Sequence, residues 1–170
     1  MKKLCKTFLR ERKGVMLAAL LLCLPLFWLL LGMTLDAANA RYAASKTKTA
    51  LNRGVKAAVL ALDETALAEG RTRLAPLQSR ENFEEVFYLN LGLLPDNPPG
   101  ERSPILAVPE VLDFYICQGP GFPYVYHSTV GVSHTFHDPG VLAVVCVKHQ
   151  YIFTGGEQEI YAYAVAEVQD

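Results

Sequence analysis

The chain has 170 residues, 51% of them hydrophobic, with 16 basic and 17 acidic side chains, enough for one modest domain beside a membrane segment. The near balance hides a gradient: residues 1–13 carry six basic side chains against Glu11 alone, whereas residues 71–170 hold five basic against twelve acidic. A mildly acidic distal part with no basic stripe excludes a nucleic-acid footprint.

The first element is announced by KGVMLAALLLCLPLFWLLLGMTLD, Lys13 to Asp36. Val15 to Leu35 carries no charge, and its 21 residues make roughly 30 Å of helix, about one bilayer core. With the basic cluster held inside, the expected order is a cytoplasmic segment over residues 1–14, a transmembrane helix over 15–35, a helical stalk over 36–70 and an extracytoplasmic head over 71–170. That topology describes a single-pass protein of the plasma membrane. Ala38-Asn39-Ala40 also has the small-x-small form that a signal peptidase accepts, so cleavage after Ala40 is the competing outcome. The apolar run exceeds the usual signal-peptide length of about 7–15 residues, which favours retention.

Beyond the membrane the stretch from Asp36 to Gly70 has no proline and is rich in alanine, which predicts one helix from about Val15 to about Glu69. Ala40, Ala44, Thr47, Leu51, Val55, Ala58 and Leu62 recur at spacings of three and four, a narrow small-residue stripe. Ala44, Leu51, Val55, Ala58 and Leu62 are read first as packing on the chain's own head and, as the alternative, as an assembly stripe for a neighbouring helix. Gly54 costs about 1 kcal/mol in a helix interior.

Gly70 suits a helix stop. Ser79 can cap a second helix that places Phe83, Val86, Phe87 and Asn90 or Leu91 on one face and ends near Gly92. LLPDNPPGERSP, residues 93–104, reads as a linker or long loop. From Ile105 on, β-branched and aromatic runs predict four strands: ILAVPEVLDFYIC, FPYVYHSTVGV, VLAVVCVKHQYIF and QEIYAYAVAEV. In the last, Ile160, Ala162, Ala164 and Ala166 share one face, and TGGEQ before it reads as the turn of an antiparallel hairpin. The predicted fold is α+β: a long N-terminal helix, a short second helix and a small, mostly antiparallel sheet as the head.

The chemistry-bearing residues are few. His134 and His137 form H-x-x-H, two ligands at a spacing that is not diagnostic of zinc, and His134 to His137 is read as a polar loop. Ser128, Thr129 and Ser133 lie near His127 and His134, outside any G-x-S-x-G elbow. No phosphate-cradling glycine loop is present, and Glu84 and Glu85 read as solvated charge. The expectation is therefore no enzyme, no cofactor, no metal and no small-molecule substrate. Under the expected topology only Cys117 and Cys146 of the four cysteines face an oxidising exterior; a bridge would close a loop of about thirty residues and contribute roughly 3 kcal/mol. Two buried free thiols are the alternative.

Gly14, Pro25, Gly32 and Asp36 carry a resemblance. A glycine after a basic start, a proline about eleven positions on and a glycine shortly before an aspartate at the outer end resemble the amino-terminal region of the TadE/TadG-like pilus assembly proteins, pseudopilin-like subunits of tight-adherence (Flp-type) systems. TKTALNRGVKAAVLALD, Thr47 to Asp63, is similar to that family's alanine-rich helix after the membrane. The resemblance covers about residues 10–65. It implies a membrane-anchored accessory or minor subunit of a pilus or related secretion machine, partnered by the membrane and other pilin-like subunits, with peptidase cleavage after Gly14 a family feature. Gly-Met-Thr-Leu-Asp is one residue longer than the family's ending, and Ala19 stands where the family commonly has glutamate, removing a costly intramembrane charge. The competing function is a membrane-tethered or secreted ligand-binding module, with His134, His137 and the distal tyrosines as contacts.

Overall fold

A computed structural model describes residues 2–93, 105–119 and 121–168. All but Leu93 of the expected linker lies outside them. Helix α1 runs without interruption from Lys2 to Val59, through Pro25, and passes from the uncharged run directly into the head. Its part from Ala19 on has a mean hydropathy of 2.0 in its most apolar window, long and apolar enough to cross a membrane.

The expected helix to Glu69 is corrected. After Val59 the chain turns, Leu62 bridges Leu74, and the Asp63 amide donates to the Arg73 carbonyl at 2.8 Å. Asp63 then caps a separate five-residue helix α2, Glu64–Ala68, its carboxylate accepting from the amides of Thr65 and Ala66. ETALAEG has helical composition, so only the cap and the pairing with residues 73–75 reveal the break.

Helix α3, Pro76–Leu91, starts with proline in its first turn rather than at a Ser79 cap, and ends at Gly92 in the left-handed region with φ 77°. Ser79, Phe83, Phe87 and Leu91 are its buried stripe, against α1. Gly54 of α1 lies beneath that stripe: a Cβ there would stand 3.0 Å from the Phe83 ring and 3.1 Å from Phe87 Cβ. The glycine that weakens the helix locally is what lets the two helices approach.

Five strands follow: β1 Glu110–Cys117, β2 Tyr124–His127, β3 Ser133–Phe136, β4 Gly140–Gln150 and β5 Glu157–Glu167. β1, β4 and β5 form an antiparallel sheet in the order β1-β4-β5, and β2 and β3 a separate hairpin. β4 is buried continuously from Gly140 to Val147, as a central strand covered on both faces must be. Val141, Ala143, Val145 and Val147, with Ala164 of β5, share one core with Leu51, Val55, Phe83 and Phe87 of the helices. Leu142 and Val144 face the other way, under Phe136, Tyr115 and Tyr126. The head is thus a helix pair, a sheet and a small hairpin in three layers. β5 carries its alanines inward as expected, and β4 and β5 are antiparallel neighbours.

Two strand expectations change. β1 begins only after Pro109, and the run FPYVYHSTVGV breaks at a turn where Gly131 has φ 82°. SHTF, expected as a polar loop, is β3, with Tyr124 opposite Phe136 and Tyr126 opposite His134.

The Cys117–Cys146 bridge is also corrected. Cys117 pairs with Gly140 and Cys146 with Glu110, so the two sit at opposite ends of the β1–β4 ladder. Six residues along a strand is about 20 Å, well beyond the roughly 7 Å that a disulfide tolerates between Cα atoms. Both are buried free cysteines, and burial, the largest influence on each, pushes both thiols up in pKa.

Candidate functional site: a hairpin dock on the long helix

Among the described residues, the buried positions of α1 from Ala19 on are Gly32, Asp36, Ala43, Thr47, Ala50, Leu51, Gly54, Val55, Ala58 and Val59, most of them on one face that repeats every three or four residues. The stripe read as an assembly surface lies on it. Leu51, Val55 and Ala58 are completely buried by α3 and the sheet of the same chain, while Ala44 and Leu62 are half-buried. These residues are the core of their own head, and the assembly assignment is corrected accordingly. The opposite face carries Ser45, Lys48, Asn52, Arg53 and Lys56, all exposed; Lys48 donates to the Tyr163 carbonyl and stands 4.7 Å over that tyrosine's ring.

Of the four residues singled out in the first helix, Gly14 and Pro25 lie within α1, and Gly32 and Asp36 form a site. The part of α1 beyond the apolar run and β4 are matched in length: Asp36 to Ala58 rises about 33 Å and eleven strand residues span about 37 Å. The tip of the β4–β5 hairpin therefore comes down beside the outer end of the apolar segment. There Asp36 is buried, and its carboxylate accepts from the Phe153 amide at 2.8 Å, the Thr154 amide at 3.0 Å and the Thr154 hydroxyl at 2.9 Å. The Ile152 amide is directed at the same carboxylate. One turn below, the Phe153 ring lies on Gly32 so closely that a Cβ there would fall 2.4 Å from it. The two motif residues divide the work: glycine leaves room for the ring, and aspartate gathers the turn's amides. Phe153 and Thr154, the partners in this dock, carry no signal of their own in the sequence beyond their place before Gly155-Gly156.

Asp36→Ala is expected to release this hairpin without unfolding the head, since the core lies elsewhere. Amide exchange at Phe153 and Thr154 should accelerate while that of Val141 to Val147 stays slow; unchanged protection at residues 153 and 154 would show that the carboxylate holds nothing.

The remaining candidate residues are engaged at the far end. His134 Nε2 and Glu167 Oε1 are 3.0 Å apart, and the Glu167 carboxylate also accepts from the amides of His137 and Asp138, each at 3.0 Å. They border an open groove with Lys56, Leu60 and Asp138. Ser128 donates to Asp113, which also accepts from Tyr126 at 3.0 Å, and Tyr126 stacks on Tyr115 with ring centroids 3.8 Å apart. Among the described residues no three His, Cys, Asp or Glu side chains gather as a metal site would require. The polar residues offered for ligand contact thus knit the β2–β3 hairpin to the sheet. Tyr161 and Tyr163 remain exposed.

No family model, curated protein or solved structure matches the chain.

Burial raises the Glu167 carboxyl, but the His134 ring and the two amides outweigh it and hold its pKa below the ordinary glutamate value. A folded pKa below the unfolded value of about 4.3 means a contribution complete above that pH and lost as pH falls through the folded value. Glu167→Gln should therefore be less stable than the native chain in urea at pH 7, with the gap closing below pH of about 4; a gap that does not change with pH would refute the linkage.

Proposed function

We propose that the chain is a single-pass plasma-membrane protein, its amino terminus cytoplasmic and its head extracytoplasmic, that serves as an accessory or minor pseudopilin-like subunit of a Tad/Flp-type pilus or related secretion machine. It acts by helix packing and surface contacts, without catalysis. The observation that carries this reading is the division of α1: exposed and, but for Thr34, apolar side chains from Ala19 to Leu35, apart from Gly32, then the spine of an α+β head from Asp36 on. The resemblance over residues 10–65 points the same way, and Gly32 and Asp36 have a physical role that accounts for their presence.

With Leu51, Val55 and Ala58 consumed inside the head, contacts to other subunits fall to the apolar half of α1. Leu22, Leu26, Phe27 and Leu30 are among its exposed residues, and with Ala19 in place of a carboxylate that surface packs by shape alone. A photo-crosslinking residue placed singly at Leu22, Phe27 and Leu30 in native membranes is expected to yield a discrete adduct with another single-helix subunit from at least one position. Adducts with lipid only, from all three, would overturn the assembly reading. Intact mass of the membrane-recovered protein separates the processing outcomes: a start at Met1 or Val15 keeps the anchor, and a start at Arg41 removes it.

A further inference from the structure

The β4–β5 tip is uncharged from Tyr151 to Gly156 and shows its apolar side chains outward: Ile152 is 76% exposed, and Phe153 is 52% exposed even with its ring on Gly32. It is fastened to the end of the apolar segment itself at Gly32 and Asp36, and that stretch of α1 exposes Leu29, Leu30, Leu31, Met33 and Leu35. Gly32 stands about 6 Å before Asp36 along the helix axis, so Phe153 lies a full turn inside the first charged residue of α1 beyond the apolar run. Backbone groups can enter hydrocarbon only when paired. Here the Tyr151 amide donates to the Gly156 carbonyl, the Gly155 amide to the Tyr151 carbonyl, and the amides of Phe153 and Thr154 to Asp36. Those four amides are paired within the protein, which lowers the cost of taking the turn out of water.

We infer that this tip is a second membrane contact, with Ile152 and Phe153 seated among the acyl chains of the outer leaflet beside Leu29 to Leu35. The inference rests on the membrane-spanning reading of α1 proposed above. The ligand is the hydrocarbon of the bilayer rather than a charged headgroup, because the tip presents no lysine or arginine. Its consequence is a head held at two points, the helix and the tip, and so fixed in tilt. A second copy of the chain could cover the same residues, and the test separates the two.

The full chain is reconstituted in phosphatidylcholine nanodiscs with and without lipid brominated near the middle of the acyl chain. Native Trp28 reports the span. In a Trp28→Phe background, Ile152→Trp reports the tip and Leu60→Trp, exposed just beyond the distal end of α1, reports the far end of the head. Bromolipid is expected to quench Trp28 and Ile152→Trp strongly and to leave Leu60→Trp unchanged, and Phe153→Trp serves as a second probe of the tip. Quenching of Trp28 with none at residue 152 or 153 overturns the inference and leaves the span standing; a blue-shifted but unquenched probe there assigns the cover to protein. An unquenched Trp28 overturns both.

Discussion

Leu51→Glu is expected to unfold the head rather than to cut a contact between subunits. Leu51 is fully buried in the core it shares with Val55, Phe83, Phe87 and the inner face of β4. Removing a buried leucine costs about 2–5 kcal/mol, and the new carboxylate would be set among apolar side chains, which adds a desolvation penalty. The sum is comparable with a typical total stability of about 5–15 kcal/mol. The purified full chain in detergent should lose its cooperative melting transition, whereas Asn52→Glu, one position on and exposed, should leave it in place. A Leu51→Glu head that melts like the native one would return this face of α1 to a role between subunits.

The second large effect lies at the crossing of α1 and α3. Phe83→Ala should lower stability by about 3–5 kcal/mol, because the ring is fully buried, stacks on Phe87 at 5.4 Å and meets Phe114 at 5.0 Å. Gly54→Leu in the native background should also destabilise: relief of the glycine's helix penalty, about 1 kcal/mol, is outweighed by overpacking of about 1–3 kcal/mol or more against a ring only 3.0 Å from the first added carbon. Combined, the two changes should be less harmful than their sum, since the leucine occupies space the ring has left. Strictly additive losses in urea titrations would mean that Gly54 and Phe83 do not share that space.

Period and composition carried the reading furthest where one element decides its own fate. The three-and-four spacing of Leu51, Val55 and Ala58 marks a packed face correctly, but a spacing is silent on whether the partner comes from the same chain or another. The end of α1 was misplaced because Glu64 to Gly70 has the composition of a helix, and its separation depends on Leu62 pairing with Leu74. The sequence left the cysteines open between a bridge and two buried free thiols for a related reason: their separation in the chain says nothing of a register that puts them at opposite ends of one ladder. β3 escaped notice because four residues with a histidine among them acquire strand character only by pairing with β2. Gly32 and Asp36 were legible as a motif, yet the partners of Asp36, Phe153 and Thr154, lie 117 and 118 positions further along the chain.

The uninterrupted run of α1 from the apolar segment into the head has a mechanical meaning. Between Leu26 and Val59 there is no proline, and the two glycines in that interval are each pressed by an aromatic ring, Phe153 on Gly32 and Phe83 on Gly54. The helix is thereby stiffened where it would otherwise bend most readily. A push or twist applied to its apolar half travels along a braced rod, displacing the head by about 1.5 Å for each residue of axial shift, with the hairpin tip as the strut that keeps the motion from dissipating as sway.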